Sequence, residues 1–153
     1  TQYMMQKAFQ RADLDWCYLT FEVPPDRLAD AMRGFRAFEF RGGNITIPHN
    51  RTAIEHVDEL TDAARLCGAV NCVTRVGNRL VGDNTIGQSL MQLLCEMTDP
   101  VSKRIVLLGA GSVARAIGVK LALAGAGPIT IVNRTELHGR ELVSQLIQAV
   151  KLP

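Results

Sequence analysis

Residues 104–114 read Arg-Ile-Val-Leu-Leu-Gly-Ala-Gly-Ser-Val-Ala, and this stretch decides the fold class. The run from Arg104 to Leu108 is apolar after its first residue, the pattern of a strand buried in a parallel sheet. Gly109-Ala110-Gly111 follows without a break. Arg115 to Ala124 reads as a helix, stopped by Gly125-Ala126-Gly127-Pro128. Ile129 to Val132 is a second strand and Leu137 to Val150 a second helix. A strand, a glycine turn, a helix and a strand in this order are the start of a dinucleotide-binding unit. Gly109 permits the tight turn, Gly111 lets the backbone approach a pyrophosphate, and Ala114 lets the helix pack closely on the strand. The N–H groups of Ser112, Val113 and Ala114 lie at the positive end of the helix, where an anion is held. A glycine-rich turn that binds nothing is the bland alternative; the strand before it and the helix after it favour binding.

The end of the second strand bears on which nucleotide binds. An acid there accepts the ribose 2′-hydroxyl of NAD, and an arginine accommodates the 2′-phosphate of NADP. Asn133-Arg134-Thr135-Glu136 offers both, so the cofactor is NADP or NAD. His138, one turn further on, lies where a 2′-phosphate would come close.

Upstream, Cys17, Leu19, Phe21 and Val23 alternate with more polar neighbours, the period of a half-buried strand. Asp26 is a candidate cap for a helix over Leu28 to Phe38. Asn44 to Ile47 is a short strand closed by Pro48, and the three elements suggest a parallel βαβ unit. Two short helices are expected over Thr52–Leu60 and Thr61–Cys67, then a hairpin of Ala69–Arg75 with Arg79–Val81 around Gly77-Asn78. Ser89 to Met97 is an apolar-rich helix. The expected organisation is α/β: a substrate domain over residues 1–84 with a mixed, mainly parallel sheet, a linker helix over 85–99, and a partial Rossmann domain over 100–153.

Composition narrows the function classes. Apolar residues make up 47% and charged residues 21%, which is globular usage. No apolar run is long enough for a membrane helix, and Thr1 to Phe9 lacks the features of a signal peptide. Residues 1–100 carry ten basic and thirteen acidic groups; residues 101–153 carry seven and two. That mildly basic last third suits a phosphate-bearing ligand, and with 5% aromatic residues it does not suggest nucleic acid. The four cysteines have neither zinc nor C-x-x-C spacing and apolar neighbours, so they are expected to be reduced packing residues in a cytoplasmic protein.

Six blocks carry a further resemblance: Gly43-Asn44-Ile45-Thr46-Ile47-Pro48-His49, Val57-Asp58-Glu59-Leu60-Thr61, Gly68-Ala69-Val70-Asn71, Gly82-Asp83-Asn84-Thr85-Ile86-Gly87, Gly109-Ala110-Gly111 and Asn133-Arg134-Thr135. In this order, from about Met4 to Leu146, the chain resembles the shikimate/quinate dehydrogenases. The resemblance implies a substrate domain facing a Rossmann domain across a cleft. It also implies hydride transfer between a nicotinamide and the C3 hydroxyl or ketone of a polyol carboxylate. It places Thr46, Asn71 and Thr85 at the polyol and Thr1 at the second of two carboxylate-binding hydroxyls. A homodimer is compatible with it; nucleic acid and membrane partners are not expected. It further implies that the chain lacks family segments at both ends.

Two positions depart from the family pattern. Asn50 stands where the pattern has lysine, and Ile86 where it has aspartate. In the family these form the acid–base pair at the reacting hydroxyl, and neither an amide nor a sec-butyl group titrates usefully. Loss of such a group costs roughly 10²–10⁴ in rate. Loss of both partners leaves no stranded charge, so altered or absent dehydrogenase activity is the alternative function. His49 adjoins Asn50, but successive side chains of an extended segment point opposite ways. A merely polar His49 is therefore expected, with Asp83 facing away from Thr85.

Overall fold

The structure, a computed structural model, describes residues 1–151. Its first helix, α1 (Gln2–Arg11), precedes α2 (Leu28–Ala37), which is entered through a 3₁₀ turn over Pro25–Arg27. Asp26 lies inside that turn and does not cap α2.

Four short strands then form one sheet: β1 (Gly42–Asn44), β2 (Glu59–Leu60), β3 (Cys72–Val76) and β4 (Arg79–Asp83), in the order β1-β3-β4-β2. The sheet is mixed, as expected, but not mainly parallel. β1–β3 and β3–β4 are antiparallel, and only β2–β4 is parallel. The Thr52–Leu60 helix is also corrected. It is a 3₁₀ turn over Thr52–His56 followed by β2, because Asp58 is drawn to the sheet. Its carboxylate accepts from the Leu80 amide and from Arg36 at 2.7 Å, and the Arg36 hydrogen bond holds it below the usual carboxylate range.

No strand forms over residues 17–23, so the parallel βαβ unit is absent. Alternation states which face a strand would bury, but a strand also needs a neighbour with free peptide groups. Here side chains take that role. Gln6 accepts from the Tyr18 amide and donates to the Trp16 carbonyl, and His49 Nε2 lies 2.8 Å from the Val23 carbonyl. Leu19 and Phe21 stay exposed.

α3 (Asp62–Cys67) is capped by Thr61, whose hydroxyl accepts the Ala64 amide, and it ends on left-handed Gly68. α4 (Ile86–Met97) leads to β5 (Ile105–Leu108), α5 (Ser112–Leu123), β6 (Ile129–Val132) and α6 (Glu136–Lys151). β5 and β6 pair in parallel. One face of this pair, with Ile105, Leu107, Ile129 and Ile131, turns toward the helices. On the other face, Val106 and Leu108 are 62% and 81% exposed.

Two apolar cores result. One joins Leu28, Met32, Ala53, Val70, Val73 and Leu80. The other draws Cys67 of α3 together with Ala116, Val119, Leu142 and Leu146, tying the first lobe to α5 and α6. α4 crosses α5 at Gly87, where a Cβ would run into the backbone carbonyl of Ala116, so only glycine fits. All four cysteines are free, but only Cys67 is buried; Cys17 and Cys95 are exposed, against the expectation of packing roles.

Candidate polyol and dinucleotide sites

The segment after β1 turns back through residues 45–50 and is sewn to the entry of β3. Ile45 N donates to Asn71 O at 2.9 Å, and His49 N to Thr46 O at 2.9 Å. The Asn71 side chain then bridges to the loop after β4. Its Oδ1 accepts the Thr85 amide at 2.9 Å, and its Nδ2 donates to Thr85 Oγ1 at 3.1 Å. Asn71 and Thr85 are thus held together and half-buried, with Thr46 exposed on the adjoining turn. Thr1 is exposed at the start of α1, and no hydrogen bond joins it to these three residues.

The two substituted positions are already occupied with other work. Asn50 is 8% exposed, and its Nδ2 donates to Ile45 O at 2.8 Å and Val70 O at 3.1 Å. Ile86, the first residue of α4, packs against the second core. His49 is tied to Val23, and the Asp83 carboxylate accepts from the Thr61 hydroxyl and the Asn84 amide. Among the described residues, no carboxylate or amine hydrogen-bonds to Asn71 or Thr85.

The sequence reading missed Asn84. It is 3% exposed, donates to Ala69 O at 3.0 Å and accepts the Ile86 amide at 3.3 Å. The signal was its place in a polar loop between Gly82 and Gly87, where a buried backbone needs side-chain partners.

Across the molecule, Gly109 takes φ +105°, closed to most side chains, and its amide donates to Val132 O at 2.7 Å. Gly111 precedes α5 with no side-chain cap, and a Cβ built at Gly109 or Gly111 meets nothing within 4 Å. The turn is therefore not plugged by side chains. Ser112 and Ala114 are half-buried, Val113 is exposed and Ala110 is in the core. α5 also lies close to β5 and α6 at Gly118, where a Cβ would sit 3.2 Å from Leu107 Cδ1 and 3.1 Å from Leu146 Cδ2.

Beyond β6, Asn133 Nδ2 donates to Thr135 O at 2.7 Å, shaping the loop. Arg134, Thr135 and His138 are exposed, and Arg134 makes no ion pair among the described residues. Glu136 is engaged by Arg140 at 2.6 Å. These residues fit a dinucleotide: open glycines under a pyrophosphate and an unpaired guanidinium for a 2′-phosphate. No group of three or more metal-ligating side chains occurs among the described residues, and no helix there is long and apolar enough to cross a membrane.

Residues 1–73 match the shikimate dehydrogenase substrate-binding domain, and residues 92–152 match shikimate/quinate 5-dehydrogenase. The chain belongs to the shikimate/quinate dehydrogenase family. It is 39% identical over 148 residues to a shikimate dehydrogenase (NADP(+)) of Desulforamulus reducens, covering 95% of this chain and 51% of that one. Among solved structures, ligand-free 5-ketofructose reductase of Gluconobacter sp. strain CHM43 superimposes with a TM-score of 0.91 at 41% identity, over 96% of this chain and 53% of that one. Shikimate 5-dehydrogenase of Listeria monocytogenes, in complex with shikimate and NAD, gives 0.88 at 35%, over 97% and 52%. The chain spans about half the length of the curated relatives it matches.

Proposed function

We propose that this chain provides the polyol site and the pyrophosphate turn of an NADP-dependent oxidoreductase acting on shikimate, quinate or a related polyol. The observation that carries the proposal is the pairing of two features in one chain. Asn71 and Thr85 are pre-bonded on one lobe, and Gly109–Gly111 lies open before α5 on the other. The division into residues 1–84, 85–99 and 100–153 follows on this reading, with α4 as the connector.

Bound NADP would supply the hydride acceptor. The Ser112–Ala114 amides would hold its pyrophosphate. Arg134 would take its 2′-phosphate, with Asn133 and Thr135 shaping that loop and His138 nearby. The Arg140 pair on Glu136 weakens the case for a ribose-binding acid and favours NADP over NAD. Asn71, Thr85 and Thr46 would orient hydroxyls of the substrate, and Thr1 would serve its carboxylate. Alcohol oxidation also releases a proton, and neither Asn50 nor Ile86 can take it. Turnover should therefore lag a Lys–Asp site by roughly 10²–10⁴. The four unpaired thiols suit the cytoplasm, and a homodimer is the assembly to test.

A second reading, a nucleotide- and polyol-binding homologue without turnover, is favoured by the same two side chains. The Asn50 amide is spent on backbone carbonyls and Ile86 on the core. Titration with NADP+ in a calorimeter, then shikimate oxidation followed at the reduced-nicotinamide absorbance, separates the two. Slow turnover supports the oxidoreductase. Binding without turnover leaves the second reading, and no NADP+ binding overturns both.

A further inference from the structure

We propose that Asn50 is a positioning residue, whose carboxamide clamps the Thr46 turn onto the entry of β3 and so sets the spacing of Thr46, Asn71 and Thr85. The inference rests on the polyol-site reading above. Its basis is a closed set of bonds. Asn50 Nδ2 reaches Ile45 O at 2.8 Å, before Thr46, and Val70 O at 3.1 Å, before Asn71. Its own carbonyl accepts the Val70 amide at 2.7 Å. Both peptide groups of Val70 are therefore bound to one residue, half through backbone and half through side chain.

Neither Ile45 O nor Val70 O takes a backbone donor from a turn or loop, so the carboxamide is their partner. The flanking residues are gripped in the same way. Asn84 Nδ2 holds Ala69 O at 3.0 Å, and the Ile45 amide holds Asn71 O at 2.9 Å. The three successive carbonyls of residues 69–71 thus accept from Asn84, Asn50 and the Ile45 amide in turn, and the middle donor is Asn50. A planar NH2 offers two donors to two carbonyls at once. A carboxylate offers none, and an alanine leaves both acceptors dry. The position that departs from the family lysine has acquired a structural task in the same site.

The test compares the unsubstituted chain with Asn50→Ala, Asn50→Asp and Asn50→Gln. Shikimate and NADP+ are the probes, and amide hydrogen exchange is a second readout. We expect Asn50→Ala and Asn50→Asp to raise KM for shikimate about tenfold or more, since small displacements of positioning groups cost that much. NADP+ affinity should stay within about twofold, because the bonds of Asn50 go to Ile45 and Val70 and not to the Gly109–Gly111 turn or the Asn133–Glu136 loop. Exchange should quicken at the Ile45, Val70 and Thr85 amides and not at Val73 or Leu80, and Asn50→Gln, which keeps both donors, should recover part of each effect.

A merely structural role would speed exchange at Leu80 in step with Thr85 and weaken NADP+ binding alongside shikimate; that result overturns the proposal. So does an unchanged Thr85 amide in Asn50→Ala. If the unsubstituted chain neither binds nor oxidises shikimate, the polyol-site reading fails, and the exchange data alone then support or overturn the clamp.

Discussion

Asn71 grips Thr85 twice, accepting its backbone amide at 2.9 Å and donating to its hydroxyl at 3.1 Å. The pair fixes the start of α4 to the start of β3, so the positions of these two residues are set by the fold before any ligand arrives. Asn71→Ala strands the Thr85 amide in a half-buried site and should cost about 1–3 kcal/mol. Thr85→Val loses only the hydroxyl contact, and its cost should lie at the low end. Thermal denaturation orders the two; an equal loss from both would show that the backbone contact contributes nothing.

Gly109 and Gly111 make separable predictions. Gly109 sits at φ +105°, so Gly109→Ala should destabilise by about 1–3 kcal/mol. Gly111 has an ordinary φ of −76° and open space at its Cβ. Gly111→Val should therefore leave the melting temperature nearly unchanged while abolishing NADP+ binding, because the side chain fills the pyrophosphate approach. A Gly111→Val chain that binds NADP+ normally would remove the nucleotide from this turn.

The loop after β6 predicts cofactor choice. Arg134 is exposed without an ion pair, whereas Glu136 is engaged by Arg140. Arg134→Ala should weaken NADP+ about tenfold, the scale of a lost charge-assisted bond, and change NAD+ little. Glu136→Gln should change neither much. Calorimetric titration with both nucleotides checks this, and a larger effect of Glu136→Gln on NAD+ would return the acid to the ribose.

How much of this was legible in the sequence depended on whether the signal was local. β5, the glycine turn, α5 and β6 could be read because each follows from its own few residues and their order. Residues 17–23 misled because alternation reports a preference of side chains, whereas strand pairing depends on a neighbour that lies elsewhere in the chain. The candidate polyol residues were reached through the resemblance, and the structure bonds Asn71 to Thr85. What stayed hidden was the use of asparagine. Asn50 and Asn84 are ordinary loop residues in sequence, and only the fold shows that their amides satisfy the carbonyls of residues 45, 69 and 70.

Ile86 marks a cost of restoring the family pair. It packs against the core that contains Cys67, Ala116 and Val119. Ile86→Asp removes that apolar contact and sets a carboxylate beside it, a loss of about 2 kcal/mol. Asn50→Lys gives up the paired donors to Ile45 and Val70. The double variant Asn50→Lys with Ile86→Asp should therefore melt below the unsubstituted chain even where its shikimate oxidation is faster. If the two residues act as a unit, its rate should exceed the product of the single effects. Additive gains in rate with no loss of stability would mean that neither side chain has the structural role seen here.

The thiols give a prediction in pH. Burial pushes Cys67 from an ordinary 9.0 up to about 11, with Lys120 partly opposing it. The folded chain holds this proton more tightly. The associated stability is complete below the unfolded value and is lost as pH rises toward 11. Denaturant midpoints should fall between pH 9.0 and about pH 11, and Cys67→Ala should flatten that part of the fall while costing some packing. Alkylation at pH 8 should label exposed Cys17 and Cys95 rapidly and Cys67 only on unfolding, which mass spectrometry resolves site by site. Rapid labelling of Cys67 in the native chain would show that α3 opens from α5 and α6 under native conditions.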